Sequence, residues 1–307
     1  MAHPVYDVVV IGGGGAGLTS AIYTARANLL TMVLEKMAPG GQIATTDLVE
    51  NYPGFPDGIV GPEIAMRMEG QAKKYGAEIV YDEAVFVEQR GKNFSIKTQQ
   101  GLYEARALIL TTGASFRKLG VSGEQPLTGK GVSYCATCDG AFFKNKKIAV
   151  VGGGDSAIQE GIFLTRFASQ VTVIHRRDKL RATPILQERA MNHPKIDFIW
   201  DSVVEAILGE KSVNALEVKN VKTGKLQKIS LDGIFIFIGH DPNTQFLQGF
   251  IDLDDRGYVR SRAGVGTSVP GVFAAGEIRA GATRQLVAAC GEGCTAALAA
   301  QAYLEGH

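Results

Sequence analysis

The sequence has few cysteines, almost no net charge and no long hydrophobic run, and each of these absences excludes a class of protein. Four cysteines in 307 residues are too few for a secreted scaffold held together by disulfides. A formal net charge of +1, without a dense run of lysine or arginine, gives no electrostatic reason to expect a nucleic-acid or anionic membrane partner. The longest apolar runs, such as Leu231 to Ile238, are as long as a strand and far too short to span a membrane.

The remaining composition is that of a globular protein. The chain is 45% hydrophobic and 21% charged, and its length leaves room for about two domains. Met1 to Tyr6 lacks the basic-then-apolar pattern of a signal peptide, so we expect a location in the reducing cytoplasm.

Two of the cysteines form a C-x-x-C pair followed by a carboxylate: Cys135, Cys138 and Asp139. Such a pair can close a small disulfide, and a helix that begins there would place the thiols near the positive end of its dipole. In such settings the pKa of a thiol falls from about 8.5 to about 7 or below, where the thiolate is a usable nucleophile. Asp139 is a candidate proton carrier. The pair alone is also consistent with half of a zinc site completed by Cys290 and Cys294, or with inert buried thiols.

The chain opens with a dinucleotide-binding pattern. An apolar, β-branched run from Tyr6 to Ile11 ends in a glycine-rich stretch followed by helical spacing, which predicts a strand, a turn and a helix. Gly12, Gly14 and Gly17 satisfy G-x-G-x-x-G, in which the glycines permit a tight turn, the approach of a pyrophosphate and close helix packing. A second predicted strand ends in Glu35, where an acid can accept hydrogen bonds from a ribose diol. We favour a dinucleotide site over a merely glycine-rich turn.

The same pattern starts again 140 residues later. The run from Ile148 to Val151 leads into a glycine-rich turn that aligns without a gap with the first, so the chain contains an internal duplication. At this offset His175 stands where the first copy has Glu35, and Arg176 and Arg177 follow, so cations replace the acid. A 2′-phosphate repels a carboxylate and favours guanidinium groups. The first copy is therefore predicted to bind FAD or NAD and the second NADP(H), with a solvated basic turn as the alternative.

Two nucleotide-binding units, with C-x-x-C-D just before the second, resemble the low-molecular-weight thioredoxin reductases of bacteria, archaea and plants across essentially the whole chain. The resemblance rests on GGGGAG, GGQIATT, VENYPGFP, SYCATCDG, VVGGGDSA, HRRDKLRA, IGHDPNT and FAAGE followed by RQ. One position departs from the pattern, because Glu277 stands where the family usually has an aspartate that contacts the ribityl chain of the flavin. The glutamate is one methylene longer, so either the backbone lies farther from the flavin or the contact changes.

The resemblance implies an α/β fold of two Rossmann-like, three-layer nucleotide-binding domains, the second inserted into the first. Residues 1–117 and 246–307 would form the FAD domain, and residues 118–245 the NADPH domain that carries the redox disulfide. It also implies a homodimer.

The resemblance further implies a path for the electrons, from NADPH through FAD to the cysteine disulfide and from the dithiol to oxidised thioredoxin. Cys138 would be the sulfur nearest the flavin, and Cys135 the sulfur that attacks the disulfide of thioredoxin. Asp139 would be the general acid or base. We expect no metal in such an enzyme.

The predicted cofactor-binding residues fall into two groups. In the two stretches of the FAD domain they are Gly12, Gly14, Ala16, Gly17, Glu35, Lys36, Gly41, Gln42, Asn51, Thr112, Gly113, Gly276, Glu277, Arg284 and Gln285. In the inserted domain they are Gly152, Gly154, Asp155, Ser156, His175, Arg176, Arg177, Arg181, Ile238 and Gly239. The last helix is predicted to begin near Arg284, where its N-terminus would stabilise negative charge on the reduced flavin.

Two other functions stay open. A protein of the same fold could take electrons from ferredoxin or reduce another small disulfide protein, because the basic cluster argues for NADPH but does not identify the acceptor. From a different class, the chain could be a zinc-stabilised or redox-sensing nucleotide-binding module without turnover. About one zinc per chain, and no yellow colour, would support that module.

Overall fold

The computed structural model describes residues 4–46, 48–262 and 264–306. The chain forms two compact units, the first made of Met1–Ser115 and Asp241–His307 and the second of Phe116–His240. The second unit is therefore an insertion in the first. The domain limits predicted after residues 117 and 245 lie a few residues beyond these crossings and stay a prediction.

The secondary structure follows the chain through the first unit, the second unit and the first again. The first unit begins with β1 (Val5–Ile11), α1 (Gly15–Arg26), β2 (Thr31–Glu35), a 3-10 helix (Gly41–Thr45), α2 (Gly61–Lys74), β3 (Glu78–Tyr81), β4 (Ala84–Arg90), β5 (Asn93–Thr98), β6 (Leu102–Leu110) and β7 (Ala114–Phe116). The second unit contains β8 (Val132–Ser133), α3 (Ala136–Asp139), a 3-10 helix (Gly140–Phe143), β9 (Lys147–Val151), α4 (Asp155–Leu164), β10 (Gln170–Ile174), α5 (Pro184–Met191), β11 (Ile196–Ile199), β12 (Ser202–Leu208), β13 (Ala215–Asn220), β14 (Leu226–Ser230) and β15 (Gly233–Ile236). The chain returns to the first unit within β16 (His240–Pro242) and closes that unit with a 3-10 helix (Gln245–Leu247), β17 (Val272–Ala274), a 3-10 helix (Gly276–Ile278) and α6 (Leu286–Glu305).

The first unit is built on a seven-stranded sheet in the order β3-β2-β1-β6-β5-β4, with β17 beside β6. β1 pairs in parallel with β2 and β6, whereas β4, β5 and β6 pair antiparallel. Parallel neighbours cannot be joined by a tight hairpin, so α1 makes the crossover between β1 and β2. Alternate residues of β1 point to opposite faces: Val9 and Ile11 join one apolar cluster, and Val8 and Val10 join the other.

The second unit repeats this plan with a parallel five-stranded sheet in the order β11-β10-β9-β15-β8, beside a separate antiparallel sheet of β12, β13 and β14. In β9, Ile148 and Val150 face one apolar cluster while Ala149 and Val151 face the other. The predicted α/β fold with two nucleotide-binding units is confirmed. In the part of the chain that the structure describes, none of the helices has the length and apolar character needed to cross a membrane.

The last helix begins two residues after Arg284, near which its start was predicted. Gln285 is extended, with φ −138° and ψ 143°, and acts as the N-cap, so α6 begins at Leu286. Arg284 consequently lies in the loop before the helix rather than in its first turn.

Two glycines on α6 allow a test of how closely the helices of the first unit pack. A β-carbon at Gly293 would overlap the backbone carbonyl of Ala16 on α1, whereas one at Gly291 would meet nothing within 4 Å. We expect Gly293→Ala to destabilise the protein by about 1–3 kcal/mol, because the α1–α6 pair must separate. Gly291→Ala, the matched control on the same helix, should be neutral or stabilising by up to about 1 kcal/mol through helix propensity. Thermal unfolding of both variants measures this, and equal melting temperatures would contradict the close approach.

Candidate active site

The two cysteines of the C-x-x-C pair form a disulfide at the start of α3, with their Cα atoms 5.3 Å apart. Cys135 is the N-cap of this four-residue helix, and its sulfur accepts a hydrogen bond from the Cys138 amide at 3.2 Å. Both cysteines are half-buried. An amide aimed at the Cys135 sulfur stabilises negative charge there, as predicted for a helix start. Because each sulfur is bonded to the other, the arrangement is that of a redox pair and not of half a zinc site.

The carboxylate of Asp139 is oriented by a buried serine that was not predicted from the sequence. Ser133, at the end of β8, donates a hydrogen bond from its hydroxyl to Asp139 Oδ2 at 2.6 Å and accepts one from the Cys135 amide at 3.1 Å. The Asp139 amide in turn bonds to the Cys135 carbonyl at 3.1 Å. The only signal in the sequence is a serine two residues before the first cysteine, which by itself is not distinctive.

A second missed residue, Glu124, holds the strand that leads into the disulfide. Its side chain is buried, and it accepts hydrogen bonds from the amides of Leu119 and Gly120 at 2.9 and 2.7 Å and from the Tyr134 hydroxyl at 2.7 Å. Burial, and then the bond to Glu124, raise the pKa of Tyr134. Since Tyr134 directly precedes Cys135, this carboxylate fixes the approach to the redox pair.

The first glycine turn lies beside Glu35, the acid at the end of β2. In the register of β1 and β2, Ile11 stands opposite Leu34, which places Glu35 next to the turn. The Gly13 amide donates to Glu35 Oε2 at 2.7 Å and the Met37 amide to Oε1 at 3.0 Å. Each carboxylate oxygen keeps a further lone pair, so the buried Glu35 can also accept from a ribose diol.

The remaining predicted residues of the first unit lie around this turn or on the loops that follow β2, β6 and β17. Gln42 donates to the Ala114 carbonyl at 2.6 Å and lies 3.4 Å from Glu277 Oε2. Asn51 donates to Gln285 Oε1 at 2.9 Å, which brings two predicted amides together. Four further residues are placed as follows: Thr112 donates to the Asn243 carbonyl, Gly276 donates to Glu292, and Gly41 and Gly113 adopt positive φ angles. Lys36 is exposed and faces Glu83 at 4.0 Å.

Glu277, the residue that departs from the family pattern, is mostly buried on the 3-10 helix after β17. Burial raises the pKa of its carboxyl group, and the nearby Arg284 opposes that shift. The backbone that carries Glu277 is held by Glu292, which accepts from the Gly276 amide at 2.7 Å and pairs with Arg279 at 2.8 Å. Nothing in the sequence distinguishes Glu292 from Glu305, the other acid of the last helix.

The second glycine turn has the same relation to its neighbour strand. Val151 stands opposite Ile174 in the register of β9 and β10, and Gly153 consequently faces the ring of His175. Gly154 leads into α4, where Asp155 and Ser156 are exposed. The loop after β10 is tied back to this turn, because the Arg181 amide donates to the Gly153 carbonyl at 2.6 Å and the Thr183 amide to Asp155 Oδ1 at 2.6 Å.

Arg176, Arg177 and Arg181 are exposed on this loop, but the expectation that His175 contributes a cation was wrong. His175 is buried, and burial followed by the charge of Arg181 lowers its pKa, so the ring is neutral at neutral pH. Its Nε2 atom has no hydrogen-bond partner among the described residues. Ile238 and Gly239 lie in the segment after β15, close to the last residue of the second unit in the sequence. The Gly239 carbonyl accepts a hydrogen bond from the Arg117 amide at 3.0 Å.

The comparisons with known proteins agree with this geometry. The model of the pyridine nucleotide-disulphide oxidoreductase family matches residues 6–293, and the chain belongs to this family. The thioredoxin reductase of Listeria monocytogenes is 49% identical over 303 residues, which cover 98% of this chain and 94% of that protein. The thioredoxin reductase of Bacillus subtilis is 48% identical over the same length, which covers 98% of this chain and 95% of that protein.

Solved structures show the same likeness. The structure of thioredoxin reductase from Streptococcus pyogenes superposes with a TM-score of 0.95 at 45% identity and covers 100% of both chains. The structure of thioredoxin reductase from Giardia duodenalis superposes with a TM-score of 0.93 at 38% identity, and the match covers 99% of this chain and 100% of that one. The resemblance inferred from the motifs is confirmed.

The exposed arginines give a prediction for nucleotide choice. Replacing Arg176 and Arg177 together by glutamine should raise the dissociation constant of a nucleotide with a 2′-phosphate at least about tenfold, because charge-assisted hydrogen bonds are lost. Binding of the same nucleotide without that phosphate should hardly change. Isothermal titration with NADP⁺ and NAD⁺ measures both constants.

The double replacement of these arginines by lysine is the matched control. It keeps the charge but not the forked geometry, so it should lose less NADP⁺ affinity than the glutamine pair. Unchanged NADP⁺ affinity in the glutamine variant would overturn the phosphate assignment.

Proposed function

We propose that this chain is an NADPH-dependent thioredoxin-disulfide reductase. The observation that carries the proposal is the disulfide between Cys135 and Cys138, which lies in the same unit as a glycine turn followed by an arginine-rich loop. Relatives that are 48% and 49% identical over nearly the whole chain are thioredoxin reductases, which supports thioredoxin as the acceptor. A ferredoxin-dependent enzyme of the same fold is less well supported, because the arginine loop suits a phosphorylated nucleotide.

FAD and NADPH are the cofactors of this chemistry, and the two glycine turns fit them. A β-carbon at Gly14 or Gly154 would meet no atom within 4 Å, so each turn leaves open space in front of a helix N-terminus. Among the described residues, neither α1 nor α4 has a side-chain cap, which leaves backbone amides available for phosphate oxygens. We assign the first turn, with Glu35, to FAD, and the second, with its arginines, to NADPH. When bound, FAD supplies the two-electron transfer between the nicotinamide and the disulfide.

We assign Cys138 as the sulfur that exchanges electrons with the flavin and Cys135 as the nucleophile toward thioredoxin. Reduction of the disulfide takes up two electrons and yields two thiol groups once two protons are added. The Cys135 thiolate then attacks the thioredoxin disulfide, and Cys138 resolves the mixed disulfide, which restores the Cys135–Cys138 bond and releases reduced thioredoxin. The amide that donates to the Cys135 sulfur stabilises the attacking thiolate.

Asp139 is the group that holds or moves a proton in these steps. Its carboxylate lies next to the disulfide in sequence, and Ser133 fixes its orientation through a 2.6 Å hydrogen bond. A carboxylic acid at this position can protonate a leaving thiolate, and the carboxylate can accept the proton of an attacking thiol.

We also propose that the enzyme is a homodimer and works in the cytoplasm. Both follow from the resemblance to thioredoxin reductases. In the reducing cytoplasm a disulfide of this kind is transient and catalytic rather than structural. Light scattering should give twice the 32.7 kDa mass of one chain.

The first test is an anaerobic titration of the purified yellow protein with NADPH, followed through the visible flavin band. We expect NADPH to bleach the band and oxidised thioredoxin to restore it, since each partner of the proposed path then acts in order. A yellow protein that NADPH does not bleach would have another donor. A colourless protein with about one zinc per chain would be a nucleotide-binding module instead of a reductase.

Substitutions of single cysteines should distinguish reduction of the flavin from reduction of the disulfide. Cys138→Ser should still be bleached by NADPH, but thioredoxin reduction should fall at least about a thousandfold because no disulfide can form. Cys294→Ser on α6 is the control, and it should keep both activities because the half-buried Cys294 is a free thiol in the first unit, outside the redox pair. Steady thioredoxin reduction by Cys138→Ser would disprove the assigned route.

A further inference from the structure

The loop that carries the three arginines also carries an opposing charge. Asp178 directly follows Arg177, and its side chain is 66% exposed. A carboxylate at this position repels a 2′-phosphate bound by the neighbouring guanidinium groups. A site selective for that phosphate therefore benefits from a cation that offsets Asp178.

Lys222 supplies this cation from a distant part of the sequence. Its Nζ atom lies 3.4 Å from Asp178 Oδ2 and 2.9 Å from Asp201 Oδ2, so one ammonium group bridges two carboxylates. The bond to Lys222 lowers the pKa of Asp178, which keeps that carboxylate ionised and in need of a partner. An exposed ion pair of this kind adds little to folding stability. Its effect is expected instead on the binding of an anion nearby.

The position of Lys222 is specified by a tight turn between β13 and β14. The amides of Lys222 and Thr223 both donate to Asn220 Oδ1, at 3.0 and 2.9 Å, and the Gly224 amide donates to the Asn220 carbonyl at 2.8 Å. The ammonium group is thus carried by an ordered turn rather than by a free loop.

Backbone hydrogen bonds attach this turn to the arginine loop. The Val221 amide donates to the Asp201 carbonyl at 2.6 Å, and the Asp201 amide donates to the Arg177 carbonyl at 3.2 Å. The Ser202 amide donates to the His175 carbonyl at 3.0 Å. Lys222 therefore belongs to the same hydrogen-bonded structure as the arginines, although it follows them by more than 40 residues.

We propose that Lys222 is a specificity-determining residue for NADPH, acting as a positioning cation that neutralises Asp178 and Asp201 beside the arginine cluster. This inference rests on the proposed function, in which the second unit binds the 2′-phosphate. Lys222 acts through the charge of the loop and needs no direct contact with the nucleotide.

The test measures binding and not turnover. In the oxidised, FAD-containing protein at low ionic strength, Lys222→Gln should raise the dissociation constant of NADP⁺ about three- to tenfold, because the carboxylates are no longer offset. The dissociation constant of NAD⁺ should stay within about twofold, since it lacks the phosphate that the carboxylates repel. Lys222→Arg, which keeps the charge, should bind both nucleotides like the original protein. The loss should shrink as salt is added.

A second variant separates the charge effect from damage to the turn. Adding Asp178→Asn and Asp201→Asn to Lys222→Gln should bring NADP⁺ affinity back to within about twofold of the original, because both uncompensated carboxylates are gone. Failure of this rescue would show that Lys222 acts by holding the turn, and would overturn the inference.

The same titrations distinguish this inference from the proposed function. If the original protein binds NADP⁺ no better than NAD⁺, the assignment of NADPH fails. If the original protein prefers NADP⁺ and Lys222→Gln keeps the whole preference, only the role of Lys222 fails.

Discussion

In each unit, the parallel pairing of two neighbouring strands places the glycine turn that follows one strand beside a residue at the end of the other. The strands are β1 and β2 in the first unit and β9 and β10 in the second, and the residues are Glu35, the last of β2, and His175, directly after β10. Ile11 pairs opposite Leu34 in the first unit, and Val151 opposite Ile174 in the second. A shift of the register by one residue would turn the following side chain to the opposite face of the sheet. The placement of each proposed nucleotide-binding residue thus depends on backbone hydrogen bonds between buried, β-branched strands.

The two copies use this shared position for opposite electrostatic purposes. Glu35 accepts hydrogen bonds from two backbone amides, and its remaining lone pairs can accept from neutral hydroxyl groups. In the second copy, the buried ring of His175 packs against the turn and the charge moves outward to exposed arginines. A neutral ring inside and guanidinium groups at the surface avoid the cost of burying an unpaired cation.

The disulfide depends on buried polar groups that surround it. Ser133 connects the Cys135 backbone with the Asp139 carboxylate, and Glu124 ties Tyr134 to the amides of two residues earlier in the chain. A buried carboxylate that accepts several hydrogen bonds is well satisfied, whereas removal of one partner leaves a costly unpaired group. These contacts therefore stabilise the segment around the disulfide, because a helix of only four residues, α3, is too short to be stable by itself.

The sequence by itself indicated the α/β class, the duplication and the redox pair, and it predicted the kind of nucleotide at each turn, because these depend on local periodicity and on residue types at fixed spacing. It also located the loop of arginines, but it assigned a charge to His175 that burial removes. Only the tertiary structure decided the roles of Ser133 and Glu124, and the pairing of Lys222 with Asp178, since these contacts join residues whose separation in the chain carries no pattern. Burial and long-range contacts are properties of the packed chain. The pattern of residue types along the sequence therefore does not show which particular side chain is buried or which distant residue it contacts.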